Sequence, residues 1–93
     1  MGGSGVIRRR LVVRGVVQGV GFRFGAARAA ALRDVSGWIR NRPDGAVEAV
    51  LEGSPEAVES MVDWCRRGPR AAIGVDVEVR DEPPEGLAGF SAS

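Results

Sequence analysis

Apolar and polar residues alternate with period two in four separate stretches of this chain, a pattern that demands a sheet buried on one side only. From position 6 to 14, Ile7, Leu11 and Val13 are apolar while Arg8, Arg10 and Arg14 are charged, with Arg9 breaking the rule. Residues 35–42 and 46–52 read as two further strands joined by Pro43-Asp44-Gly45, where proline presets the first corner and glycine admits positive φ, so the pair forms a hairpin. In the second of these, Val47, Ala49 and Leu51 alternate with Glu48 and Glu52, which predicts one buried and one solvated face before Gly53 ends the strand. Ile73, Val75, Val77 and Val79 alternate with Gly74, Asp76, Glu78 and Arg80 as a fourth strand. Pro83-Pro84 breaks it, and residues 86–90 are expected to add a short edge segment.

Two helices complete the order. Residues 22–33 are Ala-rich, with no Gly or Pro after Gly25, and have a weak amphipathic pattern because alanine suits either face. The second helix carries stronger boundary signals: Ser54 as N-cap, Pro55 at the first helical position, Glu56 in the first turn, Arg66 and Arg67 in the last, then Gly68-Pro69. Val58, Met61, Val62 and Cys65 recur at helical spacing, so Cys65 is expected to be a small buried apolar residue and not a reactive thiol. The order β-α-β-β-α-β with one-sided strands predicts an α+β, ferredoxin-like sandwich: two helices on one face of an antiparallel-rich sheet, with the other face in water. At 93 residues, positions 6–93 make one domain, and residues 1–5 read as a flexible leader or expression remnant. No apolar run approaches the roughly 18 residues that a membrane span needs.

The ionisable residues restrict the chemistry. Thirteen arginines face 12 acidic side chains, with no Lys and no His, for a net charge of +1. There is no imidazole base, no His ligand for a metal, no Schiff-base lysine and no phosphate lysine of the P-loop type. No metal or cofactor is expected. The near-neutral balance argues against broad nucleic-acid binding, and the lone Cys65 fits a reducing, cytoplasmic setting. One local feature points to an anion. Gly15, Val16, Val17, Gln18, Gly19, Val20 and Gly21 lead from a strand into the helix beginning Phe22-Arg23, where glycine lets amides turn inward, the helix start adds unsatisfied donors, and the Arg23 fork can hold two phosphate oxygens. It is not a dinucleotide fingerprint, whose third glycine is replaced by Phe24.

The run from Gly15 to Arg23, with Gly37-Trp38-Ile39-Arg40-Asn41, Asp44-Gly45-Ala46-Val47-Glu48, Glu52-Gly53, Trp64-Cys65, Gly68-Pro69 and Phe90, resembles both signature blocks of the acylphosphatase family over nearly all of residues 7–90. The resemblance implies a cofactor-free hydrolase of carboxyl-phosphate bonds that forms no covalent intermediate. In it Arg23 and the amides of residues 15–22 bind the phosphate, Asn41 positions the attacking water, and inorganic phosphate is both product and inhibitor. Alternation puts Asn41 on the side of Ile39, the helix-covered face, where it can approach the helix start. Gln18 is expected to shape the loop, Trp38 to serve as packing or surface cover, and Arg40 and Arg42 to be solvated charges. Two departures from the family pattern stand out: Asp34, an awkward residue for closing a helix, and the polar ending Phe90-Ser91-Ala92-Ser93. The alternative is a non-catalytic module of the same fold that binds a small anion or RNA, although RNA binding on such a sheet usually needs exposed aromatics. A monomer is expected, since no surplus apolar face is evident.

Overall fold

The computed structural model describes residues 5–93, so most of the expected leader lies outside the described residues. The elements are β1 (Ile7–Val16), α1 (Phe22–Arg33), β2 (Ser36–Asn41), β3 (Val47–Gly53), α2 (Pro55–Arg67), β4 (Ile73–Glu82) and β5 (Phe90–Ala92). The sheet order is β4-β1-β3-β2-β5, antiparallel throughout except where β5 runs parallel to β2. The expected ferredoxin-like arrangement is present.

The odd-numbered positions supply the core, as the alternation predicts. Leu11 and Val13 of β1, Ile39 of β2, and Val47, Ala49 and Leu51 of β3 meet Phe22, Ala26, Ala29 and Ala30 of α1 and Val58, Met61, Val62 and Cys65 of α2. Arg9 breaks the alternation because it serves the helix side, where it donates to Glu59 of α2 at 2.7 Å and to Asp81 of β4 at 3.0 Å. Ser54 accepts from the Ala57 amide at 3.2 Å and starts α2 as expected. Burial pushes the Cys65 thiol up to about 12, only weakly opposed by Arg33, so it stays protonated and inert. Asp34 closes α1 at φ 56°, the one non-glycine residue with positive φ among those described, its amide turned back to the carbonyls of Ala30 and Ala31. A short acidic side chain tolerates the left-handed conformation that the helix end requires.

Three expectations need correction. The short segment at the chain's end is at residues 90–92 instead of 86–90, because its approach, residues 83–89, is engaged otherwise: the amides of Glu85, Gly86 and Leu87 all point into the Glu52 carboxylate at 3.0 Å. β4 also continues two residues past Arg80 to Glu82. Most consequential is the open face of the sheet, which is not solvated at its centre. Glu48 and Glu52 are 8% and 2% exposed, because β3 is flanked on both sides by strands that carry arginine. Arg8 donates to Glu52 at 2.8 Å and Glu82 at 2.9 Å; Arg10 donates to Glu48 and Glu82, both at 2.6 Å; Arg40 donates to Glu48 at 2.8 Å. The guanidiniums of Arg10 and Arg40 both stand over the Trp38 ring, 5.5 and 5.4 Å from its centre. Arg40 is exposed, as expected of a solvated charge, but is paired with Glu48, and the half-buried Arg42 reaches Asp44 at 3.0 Å. Charge alternation in one strand does not distinguish water from a cross-strand partner.

Glu52 is the most constrained member of this lattice. Burial opposes its ionisation, but the Arg8 guanidinium and three backbone amides outweigh burial and hold the carboxyl at about 2. A carboxyl depressed from its ordinary 4.5 contributes stability that is fully present above that value and is lost as pH falls toward 2, on the order of 3 kcal/mol in all. In urea titrations across this range, stability should fall steadily with acid in the wild type. In Glu52→Gln, which takes one carboxylate from the buried Arg8 and leaves it Glu82, stability should be lower by about 1–3 kcal/mol at neutral pH and should fall less steeply in the same window, the remaining slope coming from Asp44, Glu48 and Glu82, whose carboxyls are also held below their ordinary range. An unchanged acid slope in that variant would place the proton uptake elsewhere.

Candidate active site

The residues singled out on the glycine loop and on the second strand meet at one end of the sandwich. Val17, Gly19, Gly21, Phe22, Arg23 and Phe24 line a cavity of about 290 Å³ together with Asn41 and Ala92. Arg23 and Asn41, 18 positions apart in sequence, thus reach one space, with Asn41 on the helix side of the sheet as its parity requires. Arg23 is the one charged residue among those lining the cavity.

The start of α1 carries neither a capping side chain nor a compensating charge. Gly21, at φ 82° and ψ 18°, is its N-cap, and no side chain bonds the first-turn amides. No acidic residue stands in that turn either, so the partial positive charge of the helix start is not neutralised within the helix. A residue bearing a Cβ would be strained at this φ, although open space surrounds the position. The turn is anchored from below by Phe22, buried to 2% and packed edge-on against Trp64 of α2 with ring centres 5.5 Å apart. Arg23, the next residue, is half-buried and donates through Nη1 to the carbonyl oxygen of Ser93, which holds the fork beside the end of β5. Ser93 is itself tied by its amide to the Ile39 carbonyl at 3.0 Å.

Not every expected loop residue faces the cavity. Gly15 and Val16 are still part of β1, and a Cβ at Gly15 would come within 2.5 Å of the Gly74 carbonyl oxygen, so that glycine admits β4 and does not form part of the cavity lining. Val20 packs against the core. Gln18 shapes the loop, as expected: its Nε2 donates to the carbonyls of Arg42 at 2.8 Å and Ala46 at 2.9 Å, bridging the two sides of the hairpin turn. That places the loop directly against the strand end that carries Asn41. Phe24 and Ala92 line the cavity without any sequence signal for it, one reading as a helix residue and the other as part of a polar tail.

A two-helix α+β sandwich with a cationic cavity at a helix start is the class these features define. The family model for acylphosphatase matches residues 9–92. An acylphosphatase of Trichormus variabilis is 53% identical over 87 residues, covering 94% of this chain and 86% of its own, and one of Thermococcus kodakarensis is 52% identical over 84 residues, covering 90% and 92%. The crystal structure of acylphosphatase from Bacillus subtilis superposes with a TM-score of 0.89 at 37% identity, covering 94% of this chain and 98% of that one. The chain belongs to the acylphosphatase family. Its activity is hydrolysis of the carboxyl-phosphate bond of an acyl phosphate, releasing a carboxylate and inorganic phosphate.

Because the Gln18 side chain bridges loop and hairpin, Gln18→Ala should lower stability by about 0.5–1.5 kcal/mol, removing one of two donors from each carbonyl while the Gly45 amide stays on Arg42 and the Arg42 amide on Ala46. Denaturant unfolding measures that loss. Hydrogen exchange should quicken in residues 17–21 and 42–46 together, and acceleration of only one segment would mean that the bridge does not couple them.

Proposed function

We propose that Arg23 and the amides at the start of α1 bind the phosphoryl group, and that Asn41 holds the water that attacks it. The observation that carries this reading is the convergence of Arg23 and Asn41 on one cavity at an uncapped helix start. An acyl phosphate is a mixed anhydride whose leaving group, a carboxylate, is too weak a base to need a general acid. What the protein must supply is charge stabilisation and a placed nucleophile. The planar Arg23 fork spans two phosphoryl oxygens, while preorganised amides neutralise the third. The Asn41 amide can accept a hydrogen bond from a water and donate one to it, orienting its lone pair toward phosphorus. The water oxygen forms the new P–O bond, the bond to the acyl oxygen breaks with its electron pair leaving on the carboxylate, and a phosphoryl oxygen of the substrate takes the water's proton. No covalent enzyme intermediate and no metal enter this scheme.

We further propose that residues 6–93 act as one catalytic domain and as a monomer, that inorganic phosphate inhibits as well as leaves, and that the setting is cytoplasmic. The ion pairs that close the open sheet face, in place of an apolar patch, support the monomer. Scarce cysteine supports the reducing compartment. The chain has few aromatics, and two guanidiniums already stand over the Trp38 ring, which disfavours RNA as a partner. Among the described residues no helix is long and apolar enough to cross a membrane.

Hydrolysis of benzoyl phosphate should be insensitive to EDTA and competitively inhibited by inorganic phosphate. Arg23→Ala should lower kcat/KM by about 10²–10³ or more, and Arg23→Lys should recover little of it, since a point charge does not replace the fork. Asn41→Ala should lower kcat while the inhibition constant of phosphate stays near that of the wild type. Full activity in Arg23→Ala would refute the assignment of that residue. A large loss of phosphate affinity in Asn41→Ala would make Asn41 a ligand and not the holder of water, and tight, salt-sensitive binding of single-stranded RNA would favour the non-catalytic alternative.

A further inference from the structure

Phe24 is the unexplained residue of the cavity. It is 70% exposed, on the first turn of a helix whose buried face is made by Phe22, Ala26, Ala29 and Ala30, so its ring contributes little to the core. Exposure does not by itself set Phe24 apart, since Leu32 and Ile73 are 83% and 66% exposed; what does is that its ring lines the cavity. The polar and apolar parts of that cavity are also separate in kind. Arg23 and Asn41 are its polar side chains, and the other side chains lining it are Val17, Phe22, Phe24 and Ala92. A phosphoryl group held by Arg23 fills only part of about 290 Å³, and the acyl group attached to it must extend along what remains.

We propose that Phe24 is the wall on which the acyl group of the substrate rests, and that it makes this enzyme favour acyl phosphates with an aryl or extended alkyl group over acetyl phosphate. The inference deepens the reading that Arg23 holds the phosphate, and rests on it. Arg23 and Phe24 are consecutive on the first turn of α1, so a group anchored by one is within reach of the other. A flat acyl group laid on the ring removes apolar surface of both from water, whereas a methyl group covers little of it. Pocket contacts of this size discriminate by about 10–200-fold per methylene when enclosed, and an open wall belongs at the lower end.

The test compares kcat/KM for benzoyl and acetyl phosphate in the wild type, Phe24→Ala and Phe24→Leu. Comparing the ratio between variants cancels the different intrinsic reactivity of the two anhydrides. The benzoyl-to-acetyl ratio should fall about tenfold in Phe24→Ala, mainly through benzoyl phosphate, and by a smaller factor in Phe24→Leu, which keeps apolar bulk. Competitive inhibition by benzoylphosphonate and acetylphosphonate gives a readout free of the chemical step, and the advantage of the benzoyl compound should shrink in the same order. The residue is exposed, so both variants should fold. An unchanged or increased ratio in Phe24→Ala, in either assay, overturns the acyl wall. Retention of both activities in Arg23→Ala would instead strike at the phosphate assignment underneath it, so the two failures are distinguishable.

Discussion

The buried carboxylates of β3 hold this small protein together on the side that the helices do not cover. Glu48 and Glu52 sit on the central strand, and each is satisfied by arginine from a neighbour, so the open face of the sheet is sealed by charge pairs. The arrangement requires arginine. Its planar, multi-donor fork lets Arg8 bond Glu52 and Glu82 at once and lets Arg10 bond Glu48 and Glu82, whereas an ammonium is a point charge without that fixed geometry. Exposed ion pairs contribute little, but these are partly or wholly desolvated and joined through shared partners, where losing one member strands the others.

Glu52 also carries this network toward the active site. Its carboxylate organises residues 85–87, the passage from β4 toward β5, and β5 brings Ala92 to the cavity and Ser93 to Arg23. A proline-rich connection with few ladder bonds of its own is thus fixed from beneath by one side chain. The short β5, paired to a single neighbour, is held as well by Phe90 against the core and by the bonds at Gly89 and Ser93 that flank it.

Much of this was legible in the residues. Alternation identified the core face of β1, β2 and β3, the caps and prolines delimited α2, and parity put Asn41 on the helix side. What the sequence could not reveal depended on lateral neighbours. Glu48 and Glu52 look solvated until it is known that arginines of β1 and β2 flank them, and Gly15 looks like a loop glycine until β4 is seen against it. The cavity was half readable: its loop and Asn41 had local signatures, while Phe24 and Ala92 join it only through the tertiary arrangement.

The alanines of α1 acquire a meaning beyond helix propensity. Ala26, Ala29 and Ala30 are all buried beneath the helix, which packs on β2 and β5. Methyl groups therefore set the gap between the layer that bears Arg23 and the layer that bears Asn41. That gap is a tolerance in the engineering sense: a bulkier side chain at any of the three would act as a shim, lifting one half of the proposed site off the other while leaving every residue of the cavity in place. Misplacement by about 1 Å is enough to reduce such chemistry a hundredfold. Selection for activity in this fold would then act on residues that no substrate ever touches.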